Sequence, residues 1–297
     1  MSRLFSNFQK HLKLLLKPLG FIMLYLLVYF SVQFLVTMVM MIILLAIYML
    51  TSSNAVGTIE GLLPILVGKV AIPSLLISAP LSLPLYYFIL KARKQNPFKV
   101  CKIKSTGFLS LGIALILGVF TNFFVESAID IIRSLISIDK LLESHDPLIN
   151  SLLSGNIILI IIAVGIVAPF IEEIIFRGLV YSELRKISSV TVTIVIQALL
   201  FGIYHMNIVQ GVYAAFFGVI LGIIVYKTNS IWAPILTHCA FNCTSVIMGK
   251  LAPPGLGHLV SNNQKSVFVF SSLLIAAALV LMWNIPRKYR NNPQSGI

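Results

Sequence analysis

Charge is scarce in this chain, and the scarcity decides its class. Only 10% of the 297 residues are charged, while 58% are hydrophobic and the mean hydropathy is +0.99. A soluble domain carries about 25% charged and about 45–50% apolar residues, so a water-soluble globule is excluded and lipid solvates most of the chain. Cysteine is equally sparse. Cys101, Cys239 and Cys243 are odd in number and lack C-x-x-C spacing, which excludes a disulfide framework and a structural zinc site of the thiolate type. Cys239 and Cys243, four apart in an apolar stretch, read as small packing residues. No low-complexity linker and no convincing repeat interrupts the apolar runs. Those runs, about 20 residues each, exclude disorder and coiled coil. The first of them, residues 21–50, is too long for the apolar core of a signal peptide and reads as a tilted or extended span, so no cleavable signal is expected.

Eight apolar segments can be marked, at about 21–50, 62–90, 107–132, 155–186, 190–208, 210–226, 231–248 and 267–285. The expected fold is all-α, a polytopic transmembrane helical bundle of about eight spans. Residues 1–20 read as a basic amphipathic segment on the cytoplasmic surface, and 21–150 as N-terminal transmembrane helices of about three spans. Residues 151–250 form a core carrying the polar motifs; 251–297 hold a loop, the last span and a basic cytoplasmic tail. Pro64, Pro73, Pro80 and Pro84 in the second segment predict a kink or a break there.

The net charge of +13 points to the bilayer, not to nucleic acid, because Lys and Arg fall between apolar blocks and not along one face. With the N-terminus in the cytoplasm, seventeen Lys and Arg, among them Lys91, Arg93, Lys94, Lys99, Lys102 and Lys104, lie on the cytoplasmic side. Only four, Arg133, Lys140, Lys250 and Lys265, lie on the other. The positive-inside rule then places both termini of a multi-pass cell-membrane protein in the cytoplasm.

An ionisable group in a span costs about 2.5–3.5 kcal/mol at the helix centre, so each is a functional candidate. Glu172 and Glu173 are adjacent and point about 100° apart on a helix, too far to share a role. Glu173 and Arg177, four apart with the acid N-terminal, suit an ion pair. Glu172 has no sequence-local partner, and an unpaired carboxylate in a low-dielectric site suits a general base. Gln197, Phe201 and His205 form one stripe four residues apart. His238 and Asn242, also four apart, can aim an imidazole and a carboxamide at one point, as a developing oxyanion requires. Reckoned at the rise of a helix, Glu172 and His205 both lie about 21–22 Å from the cytoplasmic ends of their segments, and His238 and Asn242 lie about 13 and 19 Å down theirs. They can therefore meet inside the bilayer. A fourth cluster, Asn122, Glu126 and Asp130, reads as a wet helix face near the outer surface, with a gate or substrate path as the sharper alternative.

Glu172-Glu173-x-x-x-Arg177, then Phe201-x-x-x-His205, then His238-x-x-x-Asn242 resembles the three-motif signature of the CPBP family, the CAAX proteases and bacteriocin-processing or abortive-infection proteins. Residues 150–250 carry the resemblance. It implies a helical membrane core and an intramembrane endopeptidase similar to type II CAAX-prenyl endopeptidases, in which Glu172 activates water with the help of His205. His238 and Asn242 would stabilise the oxyanion, and Glu173 and Arg177 would organise the site. Members are widely labelled metalloproteases, yet a glutamate-activated water needs no metal or other cofactor. The H-E-x-x-H pair of zinc helices is missing, as are Gly-x-Ser-x-Gly and Gly-x-Gly-Asp motifs. A divalent ion such as zinc held by Glu172, His205 and His238 is the alternative. The implied partners are the bilayer and a peptide or membrane-protein substrate, lipid-modified if it is of the prenylated Cys-a-a-X type. A chain rich in Ile, Lys and Asn suggests an AT-rich bacterial genome, where a pheromone, bacteriocin or membrane protein fits better. The rival readings are a non-proteolytic bacteriocin-immunity or scaffold protein of the same fold, and an ion- or proton-coupled transporter. A transporter would more often show inverted, broken-helix halves.

Overall fold

Backbone donors and acceptors in lipid have no water to turn to, so apolar segments of this length close their hydrogen bonds internally as helices. The computed structural model describes residues 2–51, 59–136 and 155–286. All eight expected segments are helical there, and no strand occurs among the described residues. In chain order the helices are α1 (Ser2–Thr51), α2 (Ile59–Ala92), α3 (Pro97–Val100), α4 (Phe108–Leu135) and α5 (Ile157–Leu184). They continue with α6 (Val190–Tyr204), α7 (Ile208–Thr228), α8 (Trp232–Lys250), α9 (Pro254–Asn262) and α10 (Gln264–Asn284). The protein is a helical membrane bundle.

Six of these helices, α1, α2, α4, α5, α7 and α10, are long and apolar enough to cross a bilayer. The 15 residues of α6 rise only about 22 Å against a hydrocarbon core of about 30 Å. The 19 residues of α8 are long enough, but they carry His238, Asn242 and Thr244. Two expectations change in detail. Residues 206–208 do not extend α6: Met206 takes a left-handed φ of 52°, and the Asn207 side chain then caps α7 by accepting from the Gln210 amide. Part of the expected loop after residue 250 is the short helix α9.

The prolines of the second segment do not break it, since α2 runs continuously from Ile59 to Ala92. Each proline removes one rung of the ladder, and its neighbours supply the rest. Polar contacts brace the helix from outside as well. Gln33 of α1 donates to Ser74 Oγ and accepts from Ser78, and the Tyr86 hydroxyl donates to the Tyr25 carbonyl.

Helix α5 lies at the centre, against α1, α2, α6, α7 and α8, while α4 packs on α8 and α10. Close approach depends on glycine where helices cross. A Cβ at Gly118 of α4 would lie 2.2 Å from the Thr237 carbonyl of α8, and one at Gly202 of α6 would lie 2.4 Å from the Gly211 carbonyl of α7. The outward faces are apolar and exposed, as at Leu35, Ile42 and Phe88, which suits lipid as the solvent. Lys140, Arg287, Lys288 and Arg290, counted in the charge asymmetry, lie outside the described residues.

Candidate active site

Two turns of α5 are wider than α-helical. Residues Ile161–Val167 and Ile174–Val180 form π-helix, and the short α-helical piece Ala168–Glu173 between them carries both glutamates. Such widened turns recur at functional sites. The first leaves backbone carbonyls turned outward, and α8 meets them. Asn242 Nδ2 donates to the Val164 carbonyl at 2.8 Å, and the Cys243 thiol reaches the Gly165 carbonyl at 3.7 Å.

Arg177 is the largest fully buried side chain of the described protein. Its Nη1 donates to Glu173 Oε1 at 2.9 Å, so the ion pair read from the i,i+4 spacing is present. Its Nη2 donates to the Gly218 carbonyl at 3.4 Å, and its guanidinium lies 4.4 Å from the centre of the Phe201 ring. Gln197, from the stripe that leads to His205, donates to the same Gly218 carbonyl at 2.8 Å.

The two glutamates were expected to part, yet both reach His238. Glu173 Oε1 lies 2.9 Å from Nδ1, and Glu172 Oε2 lies 3.7 Å from Nε2. Glu173 is wholly buried, whereas the Glu172 side chain keeps 16% of its surface, so only Glu172 is open to a visiting molecule. A carboxylate oxygen can only accept, so His238 Nδ1 is the protonated nitrogen and Nε2 faces Glu172. Their separation is too long for a direct hydrogen bond.

His205 sits at the C-terminal cap of α6. Its Nδ1 lies 2.8 Å from the Phe201 carbonyl, which likewise makes Nδ1 a donor and leaves Nε2 outside that bond. The Phe201 ring stands edge-on to both imidazoles, with centroids 4.8 Å from His205 and 5.7 Å from His238. His205 therefore joins the cluster through an aromatic ring. Asn242 joins it through the π turn. Tyr29 and Tyr204, whose rings lie 6.3 Å apart, stand within electrostatic range of Glu172; only the position of Tyr204 beside His205 could have pointed to them from sequence.

Among the described residues no three His, Cys, Asp or Glu side chains are spaced to hold a metal ion, the set Glu172, His205 and His238 included. The fourth sequence cluster divides: Asn122 is buried with neither amide atom hydrogen-bonded among the described residues, while Glu126 and Asp130 are exposed.

Fold and site together define a multi-pass helical membrane protein with a buried carboxylate–imidazole–guanidinium cluster. Residues 154–244 match the family model described as "Type II CAAX prenyl endopeptidase Rce1-like", a stretch that contains all three motifs. Over 90 residues, 30% of this chain, the sequence is 32% identical to the Bacillus subtilis (strain 168) protein named "Putative membrane peptidase YdiL". The chain spans 37% of that relative's length. No solved structure matches. The resemblance read from the three motifs therefore holds across the motif-bearing helices.

Proposed function

We propose that the protein is an intramembrane endopeptidase in which Glu172 activates the attacking water. The observation that carries this reading is the pair Glu172 and His238 Nε2, 3.7 Å apart, with Glu172 partly open beside the buried Glu173–Arg177 pair. The peptidase names matched over the same helices support the reaction class. They lend nothing to the scaffold or transporter alternatives.

Water between Glu172 and the scissile carbonyl gives one proton to the carboxylate as its oxygen attacks carbon. Glu172, now a carboxylic acid, returns the proton to the leaving amine, and the balance is one water consumed per peptide bond. His205 Nε2 accepts from the same water and orients it. With Glu172 and Glu173 ionised and Arg177 cationic, a proton on His238 brings the cluster to neutrality, and Nε2–H then donates to the oxyanion. Asn242 has a second amide hydrogen for that role, since its nitrogen carries two. Every step runs through these side chains, without a metal. The substrate class is a peptide or membrane protein, with a lipid-modified tail as one form, approached from the cytoplasm, where both termini lie.

Comparative proteomics of membrane and secreted peptides tests the reading, with the native protein set against Glu172→Gln. That variant keeps size and hydrogen-bonding shape but removes the base. Turnover should fall by at least about 10²–10⁴-fold with little change in substrate binding. Activity should also survive exhaustive chelation; loss with a chelator and recovery with stoichiometric zinc would move the chemistry to a metal. Identical peptide profiles for both proteins would end the peptidase reading.

A further inference from the structure

At the end of the bundle where α5, α7 and α10 finish and α4 begins, the helices leave a cavity of about 890 Å³. Its lining includes Lys99, Lys102, Lys104, Arg185 and Lys227 and, among the described residues, no acidic one. The hydroxyls of Ser105 and Thr106 add neutral donors, and Leu109, Val225 and Met282 make an apolar wall. Leu109 is largely exposed on the outside of the bundle, so this wall continues into the lipid-facing surface.

The basic rim is held in place by backbone bonds. The Ile231 amide donates to the Lys102 carbonyl at 3.1 Å, and Ser230 Oγ donates to the Lys104 carbonyl at 2.6 Å. Lys102 and Asn229 both hold left-handed φ angles, of 53° and 49°. Inside the cavity the Lys102 ammonium lies 4.5 Å from the centre of the Tyr181 ring and donates to Ser182 Oγ at 3.2 Å. Burial pushes it down to about 8, and the charges of Arg185 and Lys104 add to the effect. The nearest carboxylate on α5, Glu183, is engaged elsewhere, with Arg93 at 2.6 Å and Lys186 at 2.7 Å. A cavity whose described lining carries charge of one sign only suits an anionic guest.

We propose that this cavity binds the phosphate ester of an anionic phospholipid headgroup, whose acyl chains follow the apolar wall out along α4. Several observations carry the assignment: the single-sign lining, the hydroxyl donors beside it, the apolar wall open to lipid, and the position at the helix ends. Basic pockets between helices on the cytoplasmic side recognise lipid headgroups in this manner, and phosphate oxygens accept charge-assisted hydrogen bonds from both Arg and Lys. Lys102 also donates to the Arg177 carbonyl at 3.5 Å, so one lysine of the lining is tied to the backbone of the helix that carries the glutamates. The inference does not depend on the peptidase reading.

The test is thermal unfolding of the full chain in a neutral detergent, titrated separately with phosphatidylglycerol, phosphatidylcholine, inorganic phosphate and a polyglutamate peptide. Phosphatidylglycerol should raise the midpoint saturably, by about 5–10 °C at a hundredfold excess over its Kd. Phosphatidylcholine, phosphate and the peptide should not. The triple variant K104Q/R185Q/K227Q should weaken the apparent affinity at least about tenfold, and K91Q/K94Q, outside the cavity, should leave it unchanged. Native mass spectrometry of the unsubstituted protein should retain phosphatidylglycerol in preference to phosphatidylcholine, which keeps the proposal testable if the triple variant folds poorly. Equal shifts from phosphatidylcholine would overturn it, as would equal losses in both variants. A full shift from phosphate alone would assign the cavity to a soluble anion, and one from polyglutamate to an acidic protein, and either would overturn the lipid assignment.

Discussion

His238 gives its Nδ1 hydrogen to Glu173 across 2.9 Å, and that bond fixes where its other nitrogen points. The same carboxylate oxygen accepts from Arg177, so one atom of Glu173 neutralises the guanidinium and orients the imidazole. Removing one partner of a buried ion pair strands the other at a cost of about 3–5 kcal/mol. Arg177→Ala should therefore lower the unfolding midpoint and the folded yield in detergent. Unchanged stability with activity lost would instead move Arg177 into the set that touches substrate.

His205→Ala should approach the same residual turnover as Glu172→Gln, because groups acting as a unit are not additive. The double variant should be no slower than the slower single one. A double variant slower by the product of the two single effects would show that His205 works independently of Glu172.

Asn242→Ala carries two expected losses with different readouts. If the free amide hydrogen meets the oxyanion, turnover should fall about 10²–10³-fold. The Val164 carbonyl of the π turn also loses its donor, at about 1–3 kcal/mol for an unsatisfied buried acceptor. Asn242→Asp keeps the size of the side chain and removes the donor, so it should fail both measurements. A variant impaired in stability alone would confine Asn242 to the helix contact.

Gly118→Ala should disturb the site from outside it. The added methyl would meet the Thr237 carbonyl and the Ala240 side chain at 2.2 and 2.6 Å, pushing α8 away beside His238. Overpacking of this kind costs about 1–3 kcal/mol, and a displacement of about 1 Å in a reacting group can cost about 10²-fold in rate. Gly112 of the same helix has open space around it, so Gly112→Ala should leave turnover unchanged and add a few tenths to about 1 kcal/mol of stability. Calorimetry and turnover on the two variants check the contrast.

Lys102 predicts a pH effect with a definite sign. Its folded value, about 8, lies below the ordinary 10.5, so between these the unfolded chain holds a proton that the folded chain has released. Stability attributable to this group should rise with pH across that window. Cys101, pushed up by burial from 9.0 to about 11, works in the opposite sense above pH 9, because the unfolded thiol ionises first. Between pH 8 and 9 the lysine contribution exceeds the opposing one from the Cys101 thiol, which is only beginning to ionise in the unfolded chain. The unfolding midpoint should climb there, and Lys102→Met should flatten the slope.

Spacing made the helices and the Glu173–Arg177 pair legible, because both depend on positions along a single helix. It could not reveal that both glutamates reach His238, since that depends on how α8 crosses α5. The π turns were equally hidden: Ile161–Val167 is a plain apolar run whose register is decided by the donors that α8 brings to it. Proline suggested a kink or a break in α2; the break is not there, because the remaining rungs and the neighbouring helices keep the helix continuous from Ile59 to Ala92. Lys102 looked like one more orienting charge in a basic loop, and only the fold carries it to the Arg177 carbonyl.

Phe201 touches both imidazoles and the guanidinium, so its ring acts as a shared hinge pin for three charged or chargeable groups. The rings of His205 and His238 stand at 87° and 88° to it, and a turn of the phenyl ring about its own axis would press on both together. The two histidines therefore cannot be tuned one at a time. Any residue placed at 201 resets the pair, and a lineage that alters one imidazole's surroundings must accept the change it makes in the other.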